Sequence, residues 1–241
     1  MLASVGAPLS SPAPAVAAGA PRSALPAEPA ALPTLRPHDL IWLDDPHAFA
    51  AQAGLPGWAD AAWLARAPVV VRRDRRGADE IPVGLRGTTR AQRHGTWLPA
   101  AQCARVITPE AVARQGRWRR HRRRGELPAL QALARLAARL DGSGWEWGVT
   151  GAVGFSLASG IDVMHAGSDI DLLITAPLTL SDGDECWLGA LAAVAGDVRL
   201  DIQIATPCGA FALAERLRTG GRVLLRTDRG PRLCDDPWCP A

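Results

Sequence analysis

At 241 residues, 48% hydrophobic and 21% charged, the chain has ordinary globular composition and room for one large domain or two small ones with real cores. A net charge of +3 does not mark the whole protein as a nucleic-acid binder, and no apolar run approaches the roughly 20 residues of a membrane span. Every one of the 27 cations is arginine, and tyrosine is absent, a bias that a GC-rich coding genome explains without any appeal to function.

Residues 1–35 are rich in Ala, Pro and Ser and almost uncharged. Prolines every few residues block a helix and the start carries no basic segment. A disordered tail, or an upstream mis-assigned start codon, fits this better than a signal peptide. From "RPHDLIWLDD" onward the composition is globular. "PVVVRR" (68–73) and "EIPVGLRG" (80–87) are β-branched runs around the turn-rich "DRRGAD", which predicts a hairpin. "TTRAQRHGTWL" follows, carrying Arg90, Gln92, Arg93 and His94 ahead of Trp97. Seven arginines then fall between Arg114 and Arg124. That run reads first as a solvated linker or helix face, and alternatively as a nucleic-acid surface with Trp118 interleaved for stacking. "LPALQALARLAARL" (127–140) spaces Leu130, Leu133, Ala137 and Leu140 as an amphipathic helix that stops at "DGSG". A domain boundary is expected near residue 125, dividing a smaller β-rich domain (36–125) from a second domain (126–241).

The second half alternates element types. "WEWGV" is a strand, with Trp145 and Trp147 on one face as core packing. "GAVGFSLAS" (151–159) is a helix opening on a glycine turn, "SDIDLLIT" (168–175) a strand and "GDECWLGALAAVA" (183–195) a helix. "VRLDIQIA" (198–205) is a strand, and "GAFALAERLRTGG" (209–221) a helix closed by glycines. The pattern is a small α/β sheet within an α+β chain. The five cysteines form no CxxC pair and have no histidine partners at zinc spacing, so they read as reduced thiols of a cytoplasmic protein.

The chemistry concentrates at "GSDIDLLI". Asp169 and Asp171 stand at i and i+2 of a strand and share a face, while Ile170, Leu172 and Ile174 face the other way. The pair is either a wet strand end or a site for something cationic. On "VRLDIQI", Arg199, Asp201 and Gln203 share a face opposite Leu200, Ile202 and Ile204. If the two strands are neighbours, Asp201 joins the pair, and three converging carboxylates call for a divalent cation such as Mg2+. The helix opening at Gly151 offers an N-terminus suited to phosphate. Two such ions beside a bound phosphate can clamp the entering and leaving oxygens of a phosphoryl displacement. His38 is assigned no role, and His165 reads as part of a loop over the site.

This arrangement resembles the DNA-polymerase-β-type nucleotidyltransferase superfamily, with the turn at Gly151-Ala152, the pair at Asp169 and Asp171, and the third acid at Asp201. Ala152 departs from the small hydroxyl or glycine of that pattern; backbone N–H groups remain there, and Thr150 or Ser168 can supply a hydroxyl. More specifically, "PHDLIWL", "APVVVRR", "IPVGLRGTTRAQR", "WGVTGAVGFSLASG", "GSDIDLLI" and "RLDIQIATPCGAFALAE" occur in that order. Together they look like the phosphoribosyl-dephospho-CoA transferases of malonate decarboxylase, its holo-acyl-carrier-protein synthases, over about 38–238. The resemblance implies a nucleotidyltransferase-type mixed sheet with flanking helices behind a smaller β-rich domain. It further implies Mg2+-dependent transfer of 2'-(5''-triphosphoribosyl)-3'-dephospho-CoA to a serine of the acyl carrier protein subunit, with release of pyrophosphate, and no nucleic-acid or membrane partner. Asp169, Asp171 and Asp201 are then the catalytic and metal residues. Gly151, Ala152, Ser168, Arg86, Arg90 and Arg93 become the phosphate-binding set, the three arginines being otherwise a solvated basic surface. The 114–124 run becomes a candidate docking surface for an acidic carrier protein. The rival readings are a nucleotidyltransferase of the same superfamily with another acceptor, and a non-catalytic nucleic-acid-binding module.

Overall fold

Short β-branched runs and one strongly amphipathic helix organise the chain around two sheets. The computed structural model describes residues 34–52, 54–74, 77 and 79–239. The tail reading for residues 1–35 falls almost wholly outside the described residues, as does the middle of the 74–79 turn.

The first sheet has the order β4-β3-β2-β1-β5 and is antiparallel throughout. Its strands are β1 (Leu40–Leu43), β2 (Val69–Val71), β3 (Glu80–Arg86), β4 (Arg93–Pro99) and β5 (Cys103–Ile107), so the expected 68–73/80–87 hairpin is present. In β3 the alternation decides the faces. Ile81, Val83 and Leu85 are buried under α1 (Pro46–Ala50) and α2 (Ala61–Leu64), packed with Phe49, Leu64 and Leu98. Both helices are opened by aspartate caps: Asp45 accepts from the His47 and Ala48 amides, and Asp60 from the Trp63 amide. The other face, with Leu40, Val70, Gly84 and Arg86, is left for the rest of the chain.

The connection between the sheets is tight. Helix α3 (Pro109–Gln115), capped by Thr108 and ended by Gly116 in the left-handed conformation, lies directly on β6 (Glu146–Val149). A Cβ on Gly148 would run into Pro109 and the backbone of Glu110, so only glycine lets α3 dock this closely. Between them runs α4 (Pro128–Leu140), the predicted amphipathic helix. Leu130, Leu133, Leu136 and Leu140 are all at most 1% exposed, each stabilising the fold by roughly 1.5–3 kcal/mol.

The second sheet has the order β11-β10-β9-β8-β7-β6. After β6 come α5 (Gly151–Ser159), β7 (Ile170–Thr175), α6 (Asp182–Gly189), α7 (Leu191–Ala195) and β8 (Leu200–Thr206). The chain ends with β9 (Gly209–Ala212), α8 (Leu213–Thr219), β10 (Val223–Thr227) and β11 (Gly230–Cys234). Only β7 and β8 are parallel, and α6 and α7 supply the crossover that a parallel pair needs. The fold is α+β with a mixed C-terminal sheet and a β-rich N-terminal part, as the sequence implied.

Several elements differ from expectation. The stretch 183–195 is two helices, because α7 turns to lie on α4, where Arg135 donates to the carbonyls of Val194 and Ala195. "GAFA", expected to start a helix, is β9: Ala210 and Phe211 are both fully buried between β8 and β10, an environment that favours a strand with apolar residues on both faces. The hairpin β10–β11 was not anticipated. The arginines of the 114–124 run are solvated as expected, Arg123 alone being half-buried, but Trp118 among them is 0% exposed with its ring 6.2 Å from that of Trp147. Arg117 donates to the Leu157 and Ala158 carbonyls, Arg119 pairs with Asp141, and Arg123 with Glu126 and Asp162.

Candidate active site

Strand register brings the acids together. In the parallel β7/β8 pair Asp171 is directly opposite Asp201, and Asp169 lies two residues before Asp171 on the same face. One oxygen from each of the three lies within 4.8 Å of the others. Their apolar neighbours Ile170, Leu172, Ile174, Ile202 and Ile204 are buried on the opposite face, so packing holds the carboxylates toward the open side.

The glycine turn reaches the same point. Val149 is opposite Leu172 across the antiparallel β6/β7 pair, which delivers Thr150 and Gly151 beside Asp171. The Thr150 amide and hydroxyl both donate to the Asp171 carbonyl, at 2.9 and 3.3 Å. Gly151 has φ +62°, and a Cβ there would strike the Asp171 carboxylate; both conformation and space require glycine. Thr150 gives no side-chain cap to α5, so the first amides of that helix keep their donors for another acceptor. Ala152 lines the cleft beside them.

Burial and mutual repulsion leave a mark on Asp171. Desolvation first, then the charges of Asp169 and Asp201, push its pKa up to about 6, with Arg199 and Arg86 pulling the other way. Arg199 contacts Asp201 at 3.0 Å. Three acids with so little compensating cation are a hard, oxygen-only donor set, and a divalent ion such as Mg2+ fits it.

Facing the acids across a cleft of about 850 Å3 is the open side of the first sheet. Arg86 is cross-strand partner to Arg93. It lies 5.6 Å from the centroid of the Phe155 ring, and its Nε is buried without a hydrogen-bond partner. Burial and Arg93 lower its pKa, while Asp171 and Asp169 raise it. Arg90 and Arg93 are exposed on the cleft rim. Ser168 is buried; its hydroxyl accepts from the His165 amide at 2.9 Å, and His165 itself sits in an exposed loop at the rim. All nine residues singled out from the sequence therefore line one cleft.

The sequence reading missed His38, Gln203, Arg72 and Phe155, which line the same cleft. His38 has a left-handed backbone, φ +77°, rare for a residue with a side chain. Burial and the nearby Arg73 bring its pKa down to about 4, despite a hydrogen bond with Gln203. Only the placement of Gln203 on the Asp201 face could have pointed to this pair. Trp118, by contrast, is wholly buried and offers no stacking surface.

Comparison with known proteins bears on the family of the chain. The model described as the phosphoribosyl-dephospho-CoA transferase MdcG N-terminal domain matches residues 36–109, and that of the MdcG C-terminal domain matches residues 117–237. A relative from Klebsiella pneumoniae (strain 342), named phosphoribosyl-dephospho-CoA transferase, is 44% identical over 85% of this chain and 97% of its own. One of the same name from Pseudomonas putida (strain W619) is 41% identical over 84% and 95%. No solved structure matches the chain.

Proposed function

Because the chain belongs to the phosphoribosyl-dephospho-CoA transferase family and is a transferase, we propose that it moves a phosphoribosyl-dephospho-CoA unit from its 5''-triphosphate onto a serine of the malonate decarboxylase acyl carrier protein. The observation that carries this reading is the convergence of Asp169, Asp171 and Asp201 within 4.8 Å, against the Gly151 turn and across from Arg86, whose buried Nε has no hydrogen-bond partner.

In the reaction the serine oxygen bonds to the α-phosphorus while the bond from that phosphorus to the diphosphate breaks, so pyrophosphate leaves. Asp169, Asp171 and Asp201 would hold Mg2+, which when bound screens the triphosphate and stabilises the charge that builds on the leaving oxygen. Asp201, its side chain 39% exposed, is open to the incoming hydroxyl and takes its proton. The amides at the start of α5 and the Arg86 guanidinium hold phosphate oxygens. Arg90 and Arg93 extend that cationic wall along the rim. The nucleophile belongs to the carrier, so this chain needs none of its own. The setting we infer is the cytoplasm; the described cysteines are free, and no helix among the described residues is long and apolar enough to cross a membrane.

The test is incubation of the chain with apo carrier protein, the triphosphoribosyl precursor and Mg2+, read by the mass of the carrier. A mass gain that needs Mg2+ and falls at least a hundredfold in rate with Asp169→Asn is the expected result. A folded Asp169→Asn protein with full activity overturns the reading of the acids, and modification of a different acceptor overturns the carrier assignment.

A further inference from the structure

The open face of the first sheet contains an arrangement that the acid centre does not use. On that face Val70, Gly84 and Gly95 form one cross-strand row, since Val70 pairs with Gly84 and Gly84 with Gly95. The next row toward the acids is Arg86–Arg93. On the other side lies Arg72, whose amide donates to the Pro82 carbonyl. Two glycines opposite each other inside paired strands are costly, by about 0.5–1 kcal/mol each relative to alanine.

The missing side chains make room for Arg72. Its Cδ lies 3.3 Å from where a Cβ on Gly84 would stand, and its Cζ 3.1 Å from where one on Gly95 would stand. The side chain thus lies flat across β3 and β4, leaning out of its own row toward Arg86 and Arg93, about 7 Å away along the strands. Among the described residues no carboxylate pairs with Arg72, although it lines the same cleft as the acids. Arg86 feels the charges of Asp169 and Asp171, whereas Arg72 is the cation on this face set farther back. Like charges gathered on one bare sheet face fit an anionic ligand.

We infer that Arg72, laid in the Gly84–Gly95 groove, binds a second phosphate group of the substrate, the diphosphate within its dephospho-CoA half, while the acids and Arg86 take the triphosphate. This rests on the function proposed above. It also gives the two glycines a reason, because a side chain at Gly95 would displace the guanidinium and one at Gly84 would crowd its stem.

The experiment measures binding of 3'-dephospho-CoA, which lacks the ribosyl triphosphate, to the full chain by calorimetry at fixed ionic strength. Arg72→Met, which keeps the apolar stem, is expected to weaken binding at least tenfold, with partial recovery in Arg72→Lys. Affinity for tripolyphosphate with Mg2+ should move less than twofold, and KM for the full substrate should rise more than kcat falls. Gly95→Val, which fills the groove with Arg72 intact, should reproduce the loss and serves if Arg72→Met fails to fold. Undiminished dephospho-CoA binding in folded Arg72→Met overturns the inference, as does a loss that falls on tripolyphosphate instead. The proposed function is separable: Asp169→Asn should stop transfer yet still bind dephospho-CoA, and only a wild-type chain that binds no dephospho-CoA removes both.

Discussion

Asp171 sits where burial and like charge reinforce each other, and its pH behaviour follows from that. Its folded pKa of about 6 stands above the ordinary 3.8, so below pH 3.8 both states are protonated and no penalty exists. As pH rises from 3.8 to 6 the unfolded chain ionises first, and the metal-free fold loses up to about 3 kcal/mol. In chelator at pH 8, Asp171→Asn should therefore melt higher than wild type although it transfers nothing, and the gain should shrink toward pH 4. Thermal melts across that range check it. Mg2+ should raise the melting temperature of wild type and leave that of Asp171→Asn nearly unmoved. Gly151 gives the neighbouring prediction. Gly151→Ala forces a Cβ against the Asp171 carboxylate at φ +62°, and is expected to cost at least 1–2 kcal/mol and most of the activity, measured by denaturant midpoint and carrier mass gain.

At the scale of elements, the arginine run illustrates what pattern conceals. Seven arginines in eleven positions read as solvated, yet Trp118 in their midst is the largest fully buried side chain and Arg117 holds the C-terminal carbonyls of α5. Trp118→Ala is thus expected to destabilise the protein by about 3–5 kcal/mol, seen as a shift of denaturant midpoint, whereas Arg120→Ala, exposed, should stay within about 0.5 kcal/mol. The acids were legible because an i, i+2 pair and an Asp201 flanked by isoleucine and leucine state their faces outright. α4 was legible for the same reason, at a period of 3.6. The hairpin β10–β11 was not: its cross-strand pair Leu224 and Leu233 is exposed, at 39% and 60%, so the alternation carries no polar outer face. Nor was the Arg72 groove, whose meaning depends on which strand lies beside which.

For the whole molecule the decisive feature is the seam between the two sheets, and His38 lies in it. Its amide donates to the Val71 carbonyl, its ring meets Gln203 of β8, and Arg73 and Arg226 approach it from either sheet, with Arg73 3.9 Å from Asp228. A proton on His38 would join two guanidinium groups in a poorly hydrated seam, which is why its folded pKa falls from 6.5 to about 4. Above pH 6.5 the ring is neutral in both states and costs nothing. As pH falls from 6.5 to 4 the unfolded chain takes up the proton that the fold refuses, and stability drops by roughly 3 kcal/mol. Asp171 works in the opposite sense over nearly the same window, so in metal-free wild type the two contributions largely offset each other. Removing either one exposes the other. His38→Asn, which keeps a residue tolerant of positive φ but cannot titrate, should gain stability relative to wild type as pH falls from 6.5 to 4. Asp171→Asn should lose it over the same interval. Urea midpoints for the three proteins in chelator decide the matter: a His38→Asn difference from wild type that does not grow as pH falls from 6.5 to 4 would show that the seam does not hold His38 neutral.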